Sequence, residues 1–182
     1  MIKNPIDFEN QFIEKFGDID RITLRSLTKN KLRFELGGDE TDLNRVSQAK
    51  DRSSQILQYC FNGLPIWLRI ILWDKEGEMD LSNAGLAIET SDKNFRDENE
   101  EDILYLYLKK YSPLIVSPIV TSIINYEMAE EPSANITCYF VDFDRSIIMN
   151  IYDDRGMDVY SPNKAIIEGL LNRFSSWAIN DV

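Results

Sequence analysis

The run from Ile148 to Tyr160, IMNIYDDRGMDVY, constrains the fold of this chain more than any other segment. Two short strand-like stretches meet at Asp153-Asp154-Arg155-Gly156, and strands that stop at such a cluster turn back on one another. Aspartate carboxylates accept backbone N–H bonds inside a turn, Arg155 can pair with a nearby acid, and Gly156 is expected at the positive φ that a short hairpin loop needs. Upstream, Ile136 to Val141 and Ile147 to Tyr152 flank a second turn at Asp142 to Arg145. The end of the chain therefore reads as a three-strand antiparallel meander.

Elsewhere the periodicity alternates between helix and strand. Asn4-Pro5 marks a helix start, because asparagine caps free N–H groups and proline at the first helical position has none to lose. Phe8, Phe12, Ile13 and Phe16 then recur at helical spacing up to Gly17, a stripe that belongs to a core. Leu32, Phe34 and Leu36 alternate with Arg33 and Glu35 before Gly37-Gly38, which predicts a half-buried strand ending in a turn. A long helix from Thr41 or Asp42 to about Phe61 follows. The glycine pair between strand and helix outlines an anion site, but Asp39, Glu40 and Asp42 would repel an anion and the Gly-Lys-Ser/Thr ending is missing.

Pro65 to Trp73 is apolar on both faces apart from Arg69, the pattern of a central strand. Ile103 to Leu108 predicts another, with Tyr105 and Tyr107 on the face of Ile103. Leu114 to Ile124, interrupted by Pro118, suits a short helix or a strand equally. Ser161-Pro162 should start a closing helix whose Ile166, Ile167, Leu170, Leu171, Phe174 and Trp177 form one buried face. The expectation is a single α+β domain over residues 1–182. It has a mixed, largely antiparallel sheet carrying the meander, packed against N-terminal, long central and C-terminal helices.

Composition narrows the chemistry. The 182 residues contain no histidine, which removes the commonest general base, the commonest zinc ligand and every Ser-His or Cys-His arrangement. Cys60 and Cys138 lie in apolar settings without a CxxC partner, so both are expected as reduced, packed thiols. The longest apolar stretch, Leu64 to Trp73, falls short of a membrane span. Acids occupy the N-terminus where a targeting core would sit, so a cytoplasmic location is expected.

Net charge is −11, and residues 74 to 102 hold eleven of the acids against Lys75, Lys93 and Arg96. Phosphate contacts need clustered cations, so direct binding of nucleic acid or an anionic membrane is not expected, whereas a basic protein partner is the natural complement. The candidate partner-binding residues are Glu76, Glu78, Asp80, Asp97, Glu98, Glu100, Glu101 and Asp102, with Trp73, Tyr105 and Tyr107, flanked by Trp67, as aromatic anchors. A second reading places a metal-dependent enzyme or small-molecule module at Asp142, Asp144, Asp153, Asp154, Asp158 and Arg155. Their spacing lacks the alternating ligands and mid-loop glycine of an EF-hand, and no cofactor or metal is expected.

Three stretches together resemble a bacterial family of unknown function: Leu32 to Gly38 (LRFELGG), Arg45 to Ser53 (RVSQAKDRS) and Tyr152 to Asp158 (YDDRGMD) before a helix ending in Trp177. The matching positions are Arg33, Glu35, Arg45, Gln48, Ala49, Tyr152, Asp153, Asp154, Arg155, Gly156 and Asp158. The likeness departs near Asn180, where an acidic extension is expected after the tryptophan. As a class, small acidic proteins of this kind are similar to immunity proteins of toxin–antitoxin and contact-dependent inhibition systems. That likeness implies a non-enzymatic role: occluding a cationic toxin domain, such as a nuclease, with acids that imitate phosphates.

Overall fold

The computed structural model describes residues 2–17, 24, 30–38, 41–86, 91–97 and 102–179. Helix α1 spans Pro5–Phe16; Asn4 caps it by accepting a 2.9 Å bond from the Asp7 N–H, and Gly17 ends it at φ 80°. Its buried side chains are Phe8, Phe12 and Phe16. Full burial of such a side chain is worth about 1.5–3 kcal/mol. Ile13, expected in the same stripe, is 51% exposed, because one helix turn cannot aim both neighbours Phe12 and Ile13 at a single sheet face.

Strand β1 is Lys31–Glu35, helix α2 Asp42–Phe61 and strand β2 Ile66–Leu72. The segment after β2 is not a plain acidic loop: it holds helix α3, Gly77–Asn83, and strand β3, Lys93–Asp97. Strand β4 is Asp102–Leu108. Helix α4, Pro113–Tyr126, runs straight through Pro118. Proline is tolerated there because it lies in the second turn, and the carbonyl it leaves unpaired belongs to Leu114, a residue 88% exposed to water.

The meander forms as β5 (Ile136–Asp142), β6 (Ile147–Ile151) and β7 (Gly156–Tyr160). Helix α5 spans Lys164–Arg173 and starts two residues beyond Ser161-Pro162: Asn163 is the cap, its side chain accepting from the Ala165 N–H at 3.1 Å. Leu170 and Phe174 are fully buried, whereas Ile166, Ile167, Leu171 and Trp177 are only half-buried. The expected continuous face is therefore narrower, and the chain leaves the helix before Trp177 to form strand β8, Ala178–Ile179.

The eight strands make one sheet in the order β3-β4-β2-β5-β6-β7-β1-β8. Every pairing between these strands is antiparallel, so the sheet is not mixed. β2 lies inside it with all seven residues buried, as its two-sided apolar pattern requires. Side chains alternate across the sheet and fill two cores. One, including Phe34, Leu68, Phe140, Met149 and Val159, packs under α2, α4 and α5. The other joins Trp67, Tyr105, Tyr139 and Ile148 to the three phenylalanines of α1. Arg69 projects into this second core at 2% exposure, with its Nε 2.7 Å from Glu9 of α1. Both cysteines are buried free thiols.

Candidate functional site

Two polar regions stand out, and they treat their acids differently. The first gathers the YDDRG turn, β1 and the N-terminal half of α2. Asp153 accepts from the Arg155 backbone N–H at 2.7 Å and from its Nε at 2.6 Å, so the arginine is folded back onto its own turn. That bonding raises the pKa of the Arg155 guanidinium. Asp154 forms an ion pair with Arg45 of α2. Asp158 on β7 faces Arg33 directly across the strand pair and receives a two-pronged guanidinium, Nε to Oδ1 at 3.0 Å and Nη2 to Oδ2 at 3.2 Å. Bidentate pairs of this kind are stronger and more directional than single charge contacts.

Backbone approach explains the glycines here. A Cβ on Gly37 would lie 2.8 Å from the carbonyl oxygens of both Arg45 and Asp154, so only glycine lets the segment that leaves β1 pass between α2 and the turn. Gly156 is not at positive φ; the glycines that are, among the described residues, are Gly17, Gly63 and Gly85. Its hydrogen faces the Tyr152 phenol, where a Cβ would stand 2.6 Å from Cζ and 3.1 Å from the Phe34 carbonyl oxygen. Glycine is needed at 156 for space rather than for backbone conformation. Gln48 accepts from the Gly38 N–H at 2.7 Å, and Arg52 bonds the Glu35 carbonyl at 3.1 Å while lying 5.4 Å from the centre of the Trp177 ring. The structure thus brings Arg33, Glu35, Arg45, Gln48, Tyr152, Asp153, Asp154, Arg155, Gly156 and Asp158 into one continuous cluster.

The same geometry bears on the Asp-rich hairpins. Asp142 is held by Arg145, whose Nε lies 2.6 Å away, so of the five hairpin aspartates only Asp144 lacks a guanidinium partner among the described residues. A cation could reach the other four only by displacing an arginine.

The second region is the acidic end, where α3, β3 and β4 meet. Glu76 precedes α3 and is exposed; Glu78 and Asp80 lie on the helix, half-buried; Asp97 closes β3 and Asp102 opens β4. Arg96 on β3 reaches Glu78, 2.5 Å from Nη1, and also Asp102. The Asp102 hydrogen bond, then the Glu78 charge, push its pKa up, so two of the predicted partner-facing acids are already engaged within the chain. Glu98, Glu100 and Glu101 lie outside the described residues. Trp73 is 53% exposed, anchored by its indole N–H to the Thr137 hydroxyl at 2.9 Å, and Met79 on α3 is 59% exposed.

Tyr105 is corrected as a surface anchor: it is fully buried, and its hydroxyl donates to Glu9 at 2.6 Å. Burial is the main cause of the upward pKa shift of that phenol, with the Glu9 bond next. Tyr107 is half-buried and Trp67 is 7% exposed, their rings 5.0 Å apart, so both pack into the second core and present only part of their surface outward, to a cleft that they line. Met79 escaped the sequence reading, because a lone methionine in an acidic stretch carries no periodic signal. Sequence alone counted Arg96 against these acids without showing its partners, which lie 6 and 18 positions away.

The chain belongs to a family. The family described as Domain of unknown function (DUF3885) matches residues 8–181. The match takes in both the arginine–aspartate cluster and the acidic end. Neither a curated protein nor a solved structure matches the chain. Among the described residues no helix is long and apolar enough to cross a membrane.

Proposed function

We propose that this protein is an immunity- or antitoxin-like binding protein that engages a cationic protein domain, such as a toxin nuclease, through its acidic end, without catalysis of its own. The observation that supports this reading most is the pair of large exposed side chains, Trp73 and Met79, among Glu76, Glu78, Asp80 and Asp97. Apolar or aromatic anchors supply most of an interface's energy when they are desolvated, and a charged rim sets the encounter rate and the sign of the partner. Bound there, the acids would sit where the partner's substrate phosphates otherwise lie, and inhibition follows by occlusion. The hairpin aspartates favour no competing metal reading, since arginines hold Asp142, Asp153, Asp154 and Asp158.

The test is a pull-down with the tagged chain at low and high salt, run in parallel with Trp73→Ala and with the combined Glu76→Gln, Asp80→Asn, Asp97→Asn variant. A basic partner retained near one to one by the unaltered chain is expected to be lost from both variants and eluted by salt. Equal retention by all three proteins would remove the acidic end from the mechanism.

A further inference from the structure

Beyond the acidic end, the pairing of the strands lays out a second candidate site. Lys93 on β3 pairs with Tyr107 on β4, Tyr107 with Trp67 on β2, and Trp67 with Val141 on β5. Directly paired residues project to the same side, so these four form one row across the sheet on the α1 face. The row lines an open cleft of about 400 Å³, which α1 borders with Gln11 and the β5–β6 turn closes with Phe143 and Asp144. That volume falls within the range of about 300–1,000 Å³ of small-molecule sites.

The two ends of the cleft carry opposite charges. The Lys93 ammonium lies 5.8 Å from the centre of the Tyr107 ring and has no ion-pair partner among the described residues. Asp144, at the other end, is exposed and equally unpaired among them. Between the two charges lie the rings of Trp67 and Tyr107, with Phe143 beside them. Strands are spaced by about 4.8 Å, which puts Lys93 and Val141 roughly 14 Å apart at the backbone. Asp144 stands in the turn three residues past Val141, and with the lysine and aspartate side chains reaching inward the gap between charges is on the order of two or three extended residues of about 3.5 Å each. A single amino acid, whose charges sit on one carbon, is too short to touch both.

We infer that this cleft binds a short peptide with both termini free, its carboxylate on Lys93, its ammonium on Asp144 and an apolar side chain against Trp67 and Tyr107. Gln11 offers both a donor and an acceptor for the peptide group between them. The site uses none of the residues on which the proposed acidic interface rests, Trp73, Met79, Glu76, Glu78, Asp80 and Asp97, so either assignment can fail without the other.

The test uses the dipeptide leucyl-phenylalanine in three forms, free, N-acetylated and C-amidated, titrated into the full chain and followed by calorimetry and by amide and indole NMR signals. The free dipeptide is expected to move the Trp67, Tyr107 and Lys93 signals saturably, and blocking either terminus should weaken binding about tenfold or more. Lys93→Met should abolish the preference for the free over the amidated peptide while keeping that for the free over the acetylated one; Asp144→Asn should do the reverse. Both positions are exposed, and the crossed pattern is one that general damage to the fold cannot produce. No saturable shift at millimolar peptide, indifference to both blocking groups, or equal loss for all three peptides in each variant would overturn the assignment.

Discussion

At the YDDRG turn, Asp153, Asp154 and Asp158 are 2%, 1% and 2% exposed, and each faces an arginine. At the α3–β3–β4 end, Glu76 is open to solvent, and a single arginine, Arg96, is shared between Glu78 and Asp102. The chemistry of the side chains is the same, but the environment differs. A buried carboxylate without a partner carries a desolvation cost of several kcal/mol, so at the turn charge must balance locally. Water screens the exposed acids, so at the other end an excess of one sign persists at little cost and projects a field outward. The first arrangement pairs its charges within the fold, and the second leaves Glu76 facing solvent.

The strongest attempt to break this contrast is Arg33→Met, which leaves Asp158 buried opposite an apolar side chain. Loss of one partner from a buried pair costs about 3–5 kcal/mol, and a urea midpoint should fall accordingly. Adding Asp158→Leu to that variant should recover most of the loss. A loss below about 1 kcal/mol in the single variant would place the pair with ordinary surface salt bridges.

Gly156→Ala comes next. The new methyl meets the Tyr152 ring and the Phe34 carbonyl, and overpacking of this kind costs about 1–3 kcal/mol in chemical denaturation. Tyr152→Ala in the same chain should relieve part of it, because Tyr152 is the nearer neighbour. An unchanged midpoint would mean that the phenol swings aside into solvent without cost.

Buried titratable groups sharpen the comparison in alkali. Burial pushes the Cys60 thiol up to about 12 from its ordinary value near 9.0, and burial raises Cys138 as well. A raised folded-state pKa means that the stabilising contribution is complete below the unfolded value. It is lost as pH rises from about 9 through the folded value, at roughly 1.4 kcal/mol per pH unit for each thiol. Denaturation series above pH 9 should therefore steepen with pH, and Cys60→Ala should flatten the slope relative to the unaltered chain.

The smallest effect on stability belongs to the acidic end. Glu76→Gln and Asp80→Asn should each shift unfolding by no more than about 0.5 kcal/mol while slowing association with a cationic partner and flattening its salt dependence. A large loss of stability there would mean that these acids serve the fold after all.

How much of this was legible in sequence depended on how far apart the interacting residues lie. The Asn4-Pro5 cap, the phenylalanine stripe, the meander and the buried β2 all rest on periodicity and hydrogen bonds within a few residues, and all of them form. Sequence spacing marked the arginine–aspartate positions without showing their pairs: Arg33 and Asp158 are separated by 125 positions, and only strand register sets them face to face. The same holds for the candidate interface. Trp73 stayed exposed, while Tyr105, an equally plausible anchor by composition, turned inward to Glu9.

By itself the sequence determined the α+β class, the antiparallel meander, the reduced thiols and the sign of the surface charge, because these follow from local hydrogen bonding, hydrophobic period and composition. Tertiary structure decided that α4 passes through Pro118, that Gly156 serves space rather than a left-handed turn, and which acids are bound by arginine and which face outward. It also lined up Lys93, Tyr107, Trp67 and Val141 from four strands into one row. Each of these depends on what another part of the chain, distant in sequence, places within a few ångströms, and that is fixed only when the sheet closes its register.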